Sequence, residues 1–321
     1  METWVGIDVS METLDFGYVF LGKKFHKKIP NSRKGFLEML AAVPQDSRFV
    51  MEATGTYYLN VALFLHEQGR YVSVANPCQV KNHMKSDLRR NKSDKSDSYA
   101  IARFGEEKQP ARWRAITREQ LQLQQLQGLY DRFTHQITQL KNEVHAFRTT
   151  DLVSELAVRE AQSAIKNLTK RRAVVLHQME LIAQASMPRE VQILSSIPGV
   201  GVKTAIRLVA GIGDFQRFAT SRKLVSFAGL SPTSQQSGTS VRSTGHISRM
   251  GGTRIRGALY MCAVVARRYN SQCTAMWKRL KERGKHGKKI IVAIMCKLLR
   301  QMHTLVMKDE LYNPNILALA A

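Results

Sequence analysis

Over the first hundred residues, short apolar runs closed by turns alternate with stretches of helical spacing. Thr3 to Asp8 (TWVGID) predicts a strand, and Tyr18 to Phe25 a second one after a turn at Phe16-Gly17. Phe36 to Ala42 has helical spacing, Arg48 to Glu52 reads as a buried strand, and Tyr57 to Gln68 as a helix. Tyr71 to Val74 predicts a further strand closed by Asn76-Pro77, and Lys92 to Glu107 a helix. Strands alternating with helices indicate an α/β layered domain over residues 1–110.

The pattern then changes period. Leu123, Leu126, Tyr130, Phe133, Ile137, Leu140, Val144 and Phe147 recur at alternating steps of three and four, a two-position heptad seam. Ala161, Ile165, Leu168, Val175, Met179 and Ile182 form a looser one, interrupted at Arg172. Thr149-Thr150-Asp151 is the candidate cap between two long helices. Residues 111–188 are read as a coiled-coil arm that packs on itself or pairs two copies, with an ordinary helical hairpin as the plain alternative. Residues 189–321 are mainly helical, with Gly-rich loops and an amphipathic helix over Ile290 to Met307.

Charge sharpens this division. The chain has 321 residues, 49 Lys and Arg against 25 Asp and Glu, and a formal net charge of +24. From Val191 to Lys308 there are 21 Lys and Arg but two acids, Asp214 and Glu282. A folded region this basic is suited to polyphosphate, because each neutralised phosphate releases a counterion. No apolar run approaches the length of a membrane span and no basic-then-apolar leader opens the chain, so a cytosolic protein is expected. Cys78, Cys262, Cys273 and Cys296 lack CxxC spacing, which argues against a zinc ribbon or a disulfide framework.

Four acids stand out by position. Asp8 ends one apolar strand and Glu52 another, the latter followed by the turn residues Thr54-Gly55-Thr56. Asp94 and Asp97, three apart, share one helix face. Such a set offers oxygen donors to Mg²⁺, which assists phosphodiester chemistry. Each acid alone is equally a turn residue, a helix cap or a solvated charge. Asp15, Glu38, Asp46, Glu67 and Asp87 lack this placement and are read as structural. Leu194 to Ala205 (LSSIPGVGVKTA) has the form of a helix-hairpin-helix, in which Gly199 and Gly201 permit a tight turn and, with Lys203, face a phosphate. Phe227 to Thr253 is a Ser-, Thr- and Gly-rich segment punctuated by Arg242 and Arg249, with Arg254 and Arg256 beyond it. It offers hydroxyl nucleophiles beside cations. Chemistry alone does not choose among Ser237, Ser240 and Ser243. Arg267-Arg268 and the cations from Lys278 to Lys289 are read as backbone contacts.

GIDVS, MEATGTY and NKSDKSDSYAIARF, followed by IPGVGVKTA, FAGLSP, SGTSVR and GHISRMGGTRIRGALYM, resemble in order the DEDD transposases of bacterial insertion sequences, which include the Piv-type DNA invertases. The resemblance implies a RuvC-like, ribonuclease-H-type domain in which Asp8, Glu52, Asp94 and Asp97 hold Mg²⁺. It implies a C-terminal transposase domain whose nucleophile is Ser237. It further implies a structured non-coding bridge RNA that pairs with donor and target DNA. The assembly implied is a homodimer or homotetramer on DNA, with the acids of one protomer meeting the serine of another, in a bacterial cytoplasm at the nucleoid. Two rivals stand beside this reading: a RuvC-like nuclease that uses a metal-bound water, and a non-catalytic protein that binds DNA or RNA by charge.

Overall fold

The computed structural model describes residues 2–86, 93–149, 152–233, 236–237, 241–242, 246–248 and 250–314. The chain divides into two compact units, Met1–Ala115 and Ile116–Ala321.

The first unit is built on strands β1 (Trp4–Val9), β2 (Thr13–Phe20), β3 (Lys23–Pro30), β4 (Arg48–Glu52) and β5 (Tyr71–Ala75), arranged β3-β2-β1-β4-β5. β1, β2 and β3 form an antiparallel meander, while β4 runs parallel to β1 and β5 parallel to β4. A mixed sheet with helices on both faces makes the α/β layered domain that the alternating pattern predicts. Because side chains alternate along a strand, Val5, Ile7, Leu14, Phe16, Phe49 and Met51 share one face. They form a core there with α1 (Arg33–Ala42) and α2 (Tyr58–Glu67). On the opposite face Trp4, Val50 and Ala75 pack with residues of α3 (Pro77–Ser86) and α4 (Asp94–Lys108).

The expected turn at Phe16-Gly17 is corrected. Those residues lie inside β2, and the chain reverses at Leu21 (φ 48°) and Gly22 (φ 77°). Positive φ at both central residues is what a two-residue type I′ hairpin turn requires. α3 begins at the Asn76-Pro77 pair expected to end β5, because proline is well suited to the first turn of a helix.

The second unit opens with α5 (Arg118–Phe147) and α6 (Glu155–Ser186), which pack on each other as a helical hairpin. Ser154 caps α6. Thr150 and Asp151 of the expected capping sequence lie outside the described residues. Toward its root the hairpin joins a larger core: Leu123, Val175, Met179 and Ala183 are buried with residues of the helices that follow. Farther out the seam is shallower, with Leu140 and Val144 half-buried and Phe147 exposed, since two helices alone cannot enclose an apolar stripe. The later helices are α7 (Pro188–Ser196), α8 (Val202–Ile212), α9 (Ser221–Phe227), α10 (Thr253–Tyr269), α11 (Ser271–Glu282) and α12 (Gly287–Lys308). Against the expectation that no apolar stretch approaches a membrane span, α12 has that length and apolarity, because Lys297 and Arg300 interrupt the run without lowering its mean hydropathy enough. Its Ile290, Ile294, Leu298 and Leu299 are instead fully covered in this core.

A polar knot ties α5 to α8 and α10. Asp131 accepts hydrogen bonds from Gln127 (2.8 Å) and Arg207 (3.2 Å), and Arg254 approaches it at 3.5 Å. The Arg207 guanidinium also lies 4.9 Å from the Tyr130 ring. Truncating Asp131 leaves both guanidinium groups without their anion. Asp131→Ala is therefore expected to destabilise this unit by about 2 kcal/mol, read as a lower urea midpoint with an unchanged slope.

Candidate active site

Strand alternation puts Asp8, Asp15 and Glu52 on the α4 face of the sheet, opposite in sense to Ile7, Phe16 and Met51. Asp8 pairs with Asp15 across β1 and β2, and Asp15 with Lys28 across β2 and β3. Glu52 follows Met51, the partner of Ile7. A row Lys28, Asp15, Asp8, Glu52 therefore crosses four strands. Glu52 accepts a 3.1 Å hydrogen bond from the Thr54 hydroxyl.

α4 delivers the other two acids. Ser93 caps it in a reciprocal capping box with Ser96, and Asp94 and Asp97 occupy its first turn, where the helix dipole favours negative charge. Glycines seat this helix on the sheet. A Cβ on Gly6 would lie 2.1 Å from the Ser98 carbonyl oxygen and 2.2 Å from the Ala102 nitrogen. One on Gly17 would lie 2.5 Å from the Ser98 hydroxyl.

The electrostatics register the convergence. Burial pushes the Asp8 carboxyl up to about 6, and the negative charges of Asp97, Asp94, Asp15 and Glu52 add to that push in that order. Lys28 lies 3.5 Å from Asp15 and 3.6 Å from Asp94, and His26 meets Asp15 at 2.9 Å. Among the described residues Asp8, Glu52 and Asp97 make no ion pair, and no three acids, histidines or cysteines close into a finished metal cage. Carboxylate oxygens are the donor type that Mg²⁺ takes, usually few of them and with much of its water kept.

Sequence pattern alone does not single out Asp15, Lys28 or His26. The signal for Asp15 is hairpin register: the short turn after Val9 returns the chain so that Asp15 faces Asp8. Placing the turn at Phe16-Gly17 hides it.

In the second unit, Ser237 lies in β7 (Gln236–Ser237), paired with β8 (Val241–Arg242), its own partner being Val241. The segment is closed at its base by β6 (Pro232–Thr233) pairing with β9 (His246–Ile247). The side chains of Ser237 and Arg242, and all of Ser240, Ser243 and Arg249, lie outside the described residues. Arg256 donates to the carbonyls of Ala228 and Gly251, each at 3.0 Å, and so clamps the backbone near this base. Gly199 (φ 103°) packs against α10, where a Cβ would lie 2.8 Å from the Ala266 nitrogen. Gly201 and Lys203 are exposed at the start of α8, with open space beside Gly201.

Carboxylates gathered on one face of a mixed sheet, carried in one chain with a polycationic helical unit, are parts suited to phosphodiester chemistry. The chain belongs to the IS110-type DEDD transposases. A family model described as "Transposase", of the IS110 DEDD type, matches residues 5–149, and one described as "Transposase IS116/IS110/IS902 family" matches residues 191–278. The chain is 28% identical to a pilin gene-inverting protein of Moraxella bovis, covering 98% of this chain and 99% of that one. It is 29% identical to the transposase for insertion sequence element IS1111A of Coxiella burnetii over 60% of each chain. Among solved structures, T. thermophilus RuvC in complex with a Holliday junction substrate matches 35% of this chain and 99% of its own, with 17% identity and a TM-score of 0.26. That likeness is too slight to carry weight.

Proposed function

We propose that this protein is an insertion-sequence recombinase that cuts and rejoins DNA through Ser237, with Asp8, Glu52, Asp94 and Asp97 holding Mg²⁺. The observation that carries this reading is the convergence of the other three acids on Asp8, whose carboxyl is lifted to about 6 by burial first and then by the charges of Asp97, Asp94, Asp15 and Glu52. Its full-length similarity to a gene-inverting protein supports rejoining as well as cutting.

In this reading the Ser237 oxygen bonds to a DNA phosphorus as the bond from phosphorus to one sugar oxygen breaks. The serine proton passes to a base and the departing sugar oxygen takes one up. The phosphodiester energy is kept in the phosphoserine link, so a second sugar hydroxyl reverses the step on a new partner without ATP. Bound Mg²⁺ supplies Lewis acidity to the phosphoryl oxygens. Arg242 and its neighbours offset the charge of the phosphate under attack, and Gly201 and Lys203 hold the DNA backbone. The partners are donor and target DNA and a structured bridge RNA that supplies sequence choice. Two or four copies assemble in the bacterial cytoplasm, with the α5–α6 hairpin as the pairing arm, and acids and serine come from different protomers.

The test combines purified protein, Mg²⁺, the element's own non-coding RNA and labelled donor and target DNA. The native protein is expected to form a protein–DNA adduct that survives denaturant, and Ser237→Ala to lose both adduct and recombinant. Equal recombination by Ser237→Ala rejects the serine mechanism, and free cut ends without an adduct point to the water-using nuclease.

A further inference from the structure

The helical unit contains a cavity of about 610 Å³ beside the base of the Ser237 segment. Pro232 of β6 and Ile247 of β9, which pair with each other, both line it. Leu230, just before β6, adds to this wall, and the rest comes from α11 and α12. The lining is of two kinds. Leu230, Ile247, Met276 and Val292 give an apolar surface, whereas Arg279, Lys289, Lys297 and Arg300 supply four cations. No acid is among the described lining residues, and none of the four cations has a carboxylate partner among the described residues.

Apolar surface and unpaired cations together describe a ligand that is flat and apolar in one part and anionic in another. A bare phosphate leaves the apolar wall unfilled, and an acidic peptide brings charge without a flat apolar group. A nucleotide has both: strand-binding sites set cations along the backbone, and an extruded base is held between aromatic or apolar side chains, here aliphatic groups and Met276. The volume falls within the range of about 300–1,000 Å³ usual for small-ligand sites. A paired base has its faces covered by its neighbours, so the fit is to an unpaired one.

We propose that this cavity receives one unpaired nucleotide of a strand led to the Ser237 segment, its base against the Leu230, Ile247, Met276 and Val292 surface and its phosphate on Lys297 and Arg300. The proposal rests on reading that segment as the reactive one, but the cavity is tested without Ser237 chemistry.

Cys296 lines the cavity and reports on it locally. Burial pushes its thiol up, so alkylation is slow and readily timed. Cys78, exposed in the other unit, serves as the reference. Full-length protein is treated with a maleimide at pH 8, and modification is followed by peptide mass spectrometry. The probes are dT4, its uridine counterpart, an abasic tetramer with the same phosphates, and tetraglutamate. Protection of Cys296 by about tenfold with dT4 or the uridine tetramer, but not with the abasic one, is expected. The stronger of the two names the strand that fills the site. Arg300→Gln, at an exposed position, is expected to need about tenfold more tetramer for the same protection. Ser237→Ala protein is expected to be protected like the native chain, even if the serine mechanism fails. Equal protection by the abasic tetramer or tetraglutamate, or no protection at all, overturns the proposal. A tetramer carrying 2-aminopurine gives an independent reading: its emission is expected to change with native protein and much less with Arg300→Gln, and an identical response from both overturns it.

Discussion

Asp8→Asn is expected to abolish strand cleavage while making the metal-free protein more stable at neutral pH. The Asp8 carboxyl stands at about 6, against 3.8 for the free side chain. Its folded pKa is raised, so between about pH 4 and 6 the native state binds the proton more tightly than the unfolded chain. Stability from this group is therefore greatest at low pH, falls as pH rises through that window, and stays reduced above about 6. Beside burial, the groups responsible are Asp97 and Asp94 on α4, Asp15 on β2 and Glu52 on β4. Lys28 is engaged with Asp15 and Asp94, and His26 with Asp15. At 1.36 kcal/mol per unit the difference is about 3 kcal/mol at most, and partial solvent screening reduces it. Asparagine keeps the shape and removes the charge. In EDTA the variant is expected to exceed the native protein by about 2 kcal/mol at pH 7.5 and to match it near pH 4, measured as urea midpoints. Added Mg²⁺ at a hundred times its dissociation constant is expected to restore about 2.7 kcal/mol to the native protein and little to the variant. Cleavage is expected to drop on the order of a thousandfold. A variant less stable than native at pH 7.5 in EDTA would show that Asp8 is not held against a repelling field.

The conflict between charge and stability at Asp8 bears on which parts of this chain are legible in its sequence. Strand ends and helix periods are local, and β1, β4, β5 and α4 lie within a residue or two of where the hydrophobic pattern puts them. Their carboxylates are legible for the same reason. The β2–β3 hairpin is not, because β2 is covered on both faces: Leu14 and Phe16 by one core, Asp15 and Gly17 by α4. A doubly covered strand loses the alternation that fixes its phase, and Phe16-Gly17 then passes for a turn. Asp15 is lost with the register. The face of Lys28 is equally hidden, since it depends on pairing across β2 and β3. In the helical unit the seam of α5 is plain, but not its depth. Burial of Leu123 against α6 and the later helices is a tertiary property that no heptad count contains.

Gly6→Ala is expected to produce a large structural effect for a single added methyl group in the first unit. The added Cβ would meet backbone atoms of α4 at 2.1 and 2.2 Å, well inside contact distance, and backbone within a packed helix does not swing aside as a side-chain tip does. The helix must lift from β1 or the strand must bend. Overpacking of this kind costs about 3 kcal/mol or more. The functional consequence follows from where the contact lies. Ser98 directly follows Asp97, and Ser98 and Ala102 sit about one and two turns beyond Asp94, so lifting α4 there carries Asp94 and Asp97 away from Asp8. Cleavage is expected to fall at least about a hundredfold even in the fraction that stays folded, because displacements near 1 Å cost that much in a positioned site. Gly257→Ala is the matched control. It lies inside α10 with nothing within 4 Å of an added methyl, so the same change is expected to stabilise by about 0.5–1 kcal/mol through helix propensity. The measurement is a pair of urea melts with cleavage assayed on the soluble protein of each variant. A Gly6→Ala protein with native stability and native cleavage would mean that α4 does not rest on β1 at this residue, and the route by which the helix brings its acids to the sheet would have to be redrawn.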